Sequence, residues 1–166
     1  MAAYHRRNTY RLPTHDYSDS RYAYFITLQT KIKAVEAQSS IDPARPFISC
    51  RPLGTQADRS LHFYREQGKW LIFAYSLMPN HLHLLVSPLG GANLSNILGS
   101  YESYTTRLAW EHGVVGPLWQ RSFYDHILRS EQAAINVVNY ILNNPVRARL
   151  VKRWEDWPWC GAPDPL

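Results

Sequence analysis

Between Trp70 and Val86 the chain reads WLIFAYSLMPNHLHLLV, two apolar stretches joined by Met78-Pro79-Asn80. Apolar stretches of this length read as strands, and Pro-Asn supplies turn chemistry, so the segment predicts a β-hairpin with the histidines at the start of its second strand. Successive side chains of a strand alternate faces. His81 and His83 therefore share one face while Leu82 and Leu84 take the other, and two imidazoles on one face can act as a chelate. With seven histidines in 166 residues, about 0.3 His-x-His pairs arise by chance, so the pair needs support from elsewhere in the chain. The alternative is a pair of half-buried histidines hydrogen-bonded within the sheet.

A second region lies about 60 residues further on. Apolar residues at positions 134, 137, 138, 141 and 142 follow helical spacing, and Pro145 makes Asn144 the last helical residue or the first beyond it. Tyr140 and Asn144, four apart, lie on one helix face. Packing and capping alone could place a Tyr and an Asn this way.

The rest of the chain reads as one domain over residues 22–151, flanked by a basic arm at 1–21 and a basic, aromatic tail at 152–166. Tyr22 to Thr30 alternates as a strand, and Lys31 to Arg51 reads as a loop with at most a short strand at Phe47 to Cys50. Thr55 to Gln67 is a candidate helix with Leu61, Phe63 and Tyr64 inward. After Pro88-Leu89-Gly90-Gly91, Asn93 or Ser95 caps a helix from about Leu94 to His112, with Leu94, Ile97, Leu98, Tyr101, Tyr104, Thr105, Leu108 and Ala109 as its inward stripe. Phe123 to Leu128 is a further strand and Glu131 to Asn144 the helix already described. This order is the ferredoxin-like βαββαβ arrangement, an α+β fold with an antiparallel sheet and helices on one face.

The formal net charge of +5 and pI near 9.3 favour a polyanionic partner. Two cysteines, Cys50 and Cys160, exclude a disulfide framework and a four-thiolate zinc site, and point to a reducing cytoplasm. No apolar run approaches the roughly 18 residues of a membrane span, so no membrane partner is expected.

Residues 73–86 (FAYSLMPNHLHLLV), 118–129 (LWQRSFYDHILR) and 140–151 (YILNNPVRARLV) together resemble the three diagnostic segments of the single-tyrosine HUH transposases, enzymes of insertion sequences that move as single-stranded DNA. Trp119-Gln120, Phe123 to His126 and Asn144 to Arg147 are most similar to the REP-associated tyrosine transposases, which act on short palindromic repeats in bacterial genomes. The resemblance implies that His81 and His83 bind a divalent metal, Mg or Mn, with Asn144 as a third ligand, and that Tyr140 is the nucleophile. It implies cleavage and rejoining of single-stranded DNA hairpins through a 5′-phosphotyrosine, in the bacterial cytoplasm near the nucleoid, by a homodimer or by a monomer.

A tyrosine with a reference pKa of about 10 costs roughly 4 kcal/mol to deprotonate at pH 7. His126, on the strand before the helix, is a candidate to assist; a structural histidine is the other reading. Arg6, Arg7, Arg11, Arg121, Arg129, Arg147, Arg149, Lys152 and Arg153 are candidate phosphate contacts. Arg149 stands where many members of the resembled family have Gly, which leaves the local helix free to lengthen or the tail to fold differently. Two other readings compete: a hairpin-binding descendant without cleavage, and an unrelated metallohydrolase using His81 and His83. A histidine-triad hydrolase is disfavoured because position 85 is Leu85.

Overall fold

A computed structural model describes residues 15–31 and 51–166. Arg6, Arg7 and Arg11 and the short strand expected at 47–50 lie outside the described residues. The chain forms β1 (Ala23–Gln29), α1 (Arg51–Glu66), β2 (Trp70–Met78), β3 (His81–Pro88), α2 (Leu94–Glu111), β4 (Tyr124–Leu128), α3 (Glu131–Leu142), a short α4 (Asn144–Arg147) and β5 (Cys160–Gly161). The sheet order is β4-β1-β3-β2-β5 with every pairing antiparallel, which is the βαββαβ order with one strand added at the β2 edge.

Strand alternation sorts the side chains into two cores. Tyr24, Ile26, Leu28, Leu82, Leu84 and Val86 meet Leu53, Ala57 and Leu61 of α1 and Leu94, Ile97, Leu98 and Tyr101 of α2. Phe25, Ala74, Leu85 and Leu128 meet Ala134, Val137 and Ile141 of α3. The expected single helical face thus holds for α1 and α2, while α3 covers the opposite face, the one that carries His81 and His83. Asn93 and Ser130 cap α2 and α3 by accepting from Ser95 N and Ala133 N.

Two side chains expected inward are not. Phe63 is 55% exposed and Tyr104 38% exposed, and both line an open groove between α1 and α2. The helical stripe includes them by spacing, but the helices diverge there and leave a cavity of about 1450 Å³. Tyr17, by contrast, is buried and donates from its hydroxyl to Asp125 Oδ2 at 2.8 Å, so residues 15–21 pack on the domain.

The end of the chain runs along the β2 edge. Leu77 N donates to Trp159 O at 2.9 Å, Trp157 Nε1 donates to Leu77 O at 3.0 Å, and Ile72 N donates to Asp164 Oδ2 at 2.8 Å. Arg65 of α1 donates to both Asp164 oxygens at 2.8 and 2.6 Å and holds that carboxyl below the ordinary range. Before it, α4 ends in a Schellman turn: Leu150 N donates to Pro145 O and Arg149 N to Val146 O. Arg149 sits there at φ 58°, the sole non-glycine residue with positive φ among the described residues. The helix is therefore stopped at this residue, not lengthened, and an arginine occupies a glycine conformation.

Two outcomes follow. Arg149→Gly should raise stability by about 1 kcal/mol, read as a higher urea midpoint, because the left-handed penalty on a Cβ is removed. The Asp164 carboxyl has a lowered folded-state pKa, so its contribution is full above the unfolded value of about 3.9 and is lost as pH falls through the folded one. Hydrogen exchange at the Ile72 amide should accelerate, relative to the random-coil rate, on acidification through that window, and should already be fast at pH 7 in Asp164→Ala.

Candidate active site

The hairpin turn at Pro79-Asn80 delivers His81 and His83 to the α3 face at one end of the sheet. Their rings stand 4.6 Å apart between centroids at 68°. In the register of β1 against β3, Gln29 faces His81 and Thr27 faces His83, so both flank the histidines on the same face. His81 Nδ1 lies 2.7 Å from Asn80 Oδ1, and His83 Nδ1 lies 2.8 Å from Thr27 Oγ1. Each ring thus has one nitrogen engaged and its Nε2 left for other contacts.

Burial disfavours the charged form of both imidazoles. Burial lowers the His81 pKa, and burial, with the His81 and Arg147 charges adding to it, pushes His83 down to about 3. Neutral imidazole is the form that ligates metal.

On α3, Tyr140 projects toward this pair. Its ring lies 5.5 Å from that of His83 at 63° and 6.0 Å from that of Phe25 at 78°, and the Arg147 guanidinium stands 5.0 Å from its centroid. Tyr140 is 40% exposed whereas His83 is 7% exposed, so the phenol is open to a partner while the histidine is not. Asn144 follows one turn later, and its side-chain nitrogen is buried without a hydrogen-bond partner. That nitrogen is a donor, so it is suited to an acceptor on a bound group, whereas only the amide oxygen could meet a cation.

The structure brings together His81, His83, Tyr140 and Arg147. His126 pairs with Phe25 across β1 and β4 and so shares this face of the sheet, one residue row from the row of Thr27 and His83. Arg121 is exposed just before β4, whose first residue Tyr124 pairs with Thr27, so it stands at the histidine end. Arg129 follows Leu128, which pairs with Ala23, and lies at the remote end of the sheet. Arg149, Lys152 and Arg153 are exposed beyond α4, and Arg153 has Glu155 at 3.6 Å.

Three residues of the site, Phe25, Thr27 and Asn80, escaped the sequence reading. Alternation along β1 puts Phe25 and Thr27 on one face, which was legible; that this face meets the histidines depends on a strand register that spacing does not reveal. Among the described residues no group of three or more His, Cys, Asp or Glu side chains is placed to hold a metal.

Known proteins place this geometry in context. The chain is 26% identical over 167 aligned positions to an uncharacterized Haemophilus influenzae protein, covering 87% of this chain and 91% of the other. It is 28% identical over 89 positions to the REP-associated tyrosine transposase of Escherichia coli K12, covering 53% of this chain and 52% of that protein, about half of its length. The solved structure of a REP-associated tyrosine transposase bound to a REP hairpin superposes with a TM-score of 0.66 at 20% identity, over 96% of this chain and 82% of that one, so the fold is shared. Among the described residues no helix is long and apolar enough to cross a membrane. Residues 45–144, more than half of the sequence and including His81, His83, Tyr140 and Asn144, match the family described as "Transposase IS200 like", and the chain belongs to the IS200-like transposase family.

Proposed function

We propose that this protein cleaves and rejoins single-stranded DNA at hairpin sites, with Tyr140 as nucleophile. The observation that carries the reading is the contact of the accessible Tyr140 ring with His83, beside His81, on the face that α3 covers. The Tyr140 oxygen attacks phosphorus, the bond to the 3′-oxygen breaks, the phenolic proton is released and the leaving oxygen becomes a 3′-hydroxyl. A 5′-phosphotyrosine results. A second 3′-hydroxyl attacks it in turn, restoring a phosphodiester and the free phenol without ATP.

His81, His83 and Asn144 are the proposed ligands of a divalent ion, which supplies polarisation of a non-bridging phosphate oxygen. A donor set of two imidazoles and an amide, with no carboxylate, suits Mn better than Mg. Arg147 offers a fixed positive charge beside the nucleophile, where the phosphate has to arrive. His126, on the same face, is the proposed proton acceptor. The choice of a hairpin is supported by the structure of similar fold that was solved with one. Arg121, Arg149, Lys152 and Arg153 are the proposed phosphate contacts, with Arg129, Arg6 and Arg7 as further candidates. The protein works as a monomer or as a homodimer, and sedimentation of the DNA complex distinguishes these.

With Mn and hairpin oligonucleotides, the wild type should give a covalent protein-DNA band on a denaturing gel and Tyr140→Phe should give none. Cleavage by both proteins would move the chemistry to activated water, and hairpin binding without cleavage by either would make this a non-catalytic descendant. The double substitution Lys152→Gln with Arg153→Gln should weaken binding and reduce the slope of log affinity against log salt by about 0.7 to 0.9 per lost phosphate contact.

A further inference from the structure

The two histidines are held by different chemistry. Asn80 meets His81 Nδ1 through its amide oxygen at 2.7 Å. A carbonyl oxygen accepts and cannot donate. His81 Nδ1 must therefore carry the proton, and its Nε2 must be the bare nitrogen. Thr27 meets His83 Nδ1 through a hydroxyl at 2.8 Å, and a hydroxyl can either accept or donate. His83 is 7% exposed, so Thr27 is the partner that decides which of its nitrogens is bare.

We infer that Asn80 and Thr27 are positioning residues for the metal, resting on the proposed ligand roles of His81 and His83: Asn80 commits His81 to the ligating tautomer in advance, and Thr27 orients His83 by accepting a hydrogen bond from its Nδ1–H, which leaves Nε2 bare. Neither residue touches the ion. Both act through the imidazole they hold, as outer-sphere partners of ligating histidines do.

The backbone explains why these two residues can serve. Asn80 lies in the hairpin turn directly before His81, where its short amide reaches the next side chain. Thr27 is the cross-strand partner of His83, so its hydroxyl stands beside the ring on the same face. Thr27→Val keeps the β-branched shape and deletes the hydroxyl, leaving the His83 Nδ1 without a partner in a buried place.

Two readouts test this, and neither depends on DNA cleavage. The first is the nitrogen-15 spectrum of the metal-free protein, in which the His81 tautomer is seen directly. His81 should carry its proton on Nδ1, and Asn80→Ala should produce a mixture of tautomers. A His81 that is protonated on Nε2 in the wild type would overturn the assignment. The second is Mn affinity by electron paramagnetic resonance. Thr27→Val should bind Mn about 10- to 100-fold more weakly, and Thr27→Ser should restore it. Equal affinity of Thr27→Val and wild type, with both folded by circular dichroism, would overturn the role of Thr27. Absence of Mn binding by the wild type would overturn the metal role of both residues through failure of the ligand assignment itself, and a normal tautomer spectrum alongside it would identify which of the two ideas had failed.

Discussion

β3 has a strand on each edge and a helical layer on each face, and its register against β1 decides which side chains meet. In the observed register Leu82, Leu84 and Val86 enter the larger core while His81, His83 and Leu85 face α3. A slip by one residue would move the three aliphatic side chains to the smaller α3 side and drive both imidazoles into the larger hydrocarbon core. The hydrophobic core therefore fixes both histidines on the α3 face. No special interaction at the histidines is needed to keep them on one face.

The site joins two kinds of scaffold. The histidines sit on a strand fixed on all sides. Tyr140 rides on α3, which is held to the sheet by a smaller seam made of Ala134, Val137 and Ile141 against Ala74, Leu85 and Leu128. Under the proposed mechanism, rigid ligands and a less deeply anchored nucleophile suit a reaction in which the tyrosine must first attack and then be displaced. The short α4 ties the end of α3 back over the site. Pro145 has no N–H for the helical ladder, so the helix breaks after Leu142 and restarts, and that restart carries Arg147 to the Tyr140 ring.

What the sequence made legible was what has a period. Strand alternation put His81 and His83 together, helical spacing put Tyr140 and Asn144 on one face, and Asn93 announced the start of α2. The order of elements then yielded the antiparallel sheet. Pairings between distant segments were not legible, because a residue such as Thr27 carries no local mark of the histidine it will face across the sheet. Nor did helical spacing reveal that Phe63 and Tyr104 border an open groove, since a stripe says which side faces the sheet and not how far the two helices stand apart. Arg149 shows a third limit: the departure from glycine was visible, but the left-handed turn persists because the Schellman hydrogen bonds and the docked tail outweigh the strain.

The distances along the chain carry a kinetic meaning. Thr27 and His83 are 56 residues apart, and Tyr17 and Asp125 are 108 apart, so the contacts that build the sheet close large loops. Topologies of this kind fold more slowly than locally connected ones. During synthesis the histidine hairpin emerges from the ribosome well before α3, and β4, which pairs with β1, emerges between them. Under the proposed function, a nascent chain thus displays the two histidines while it still lacks Tyr140, and the assembled site arrives late, only when the segment through Arg147 has been released and docked.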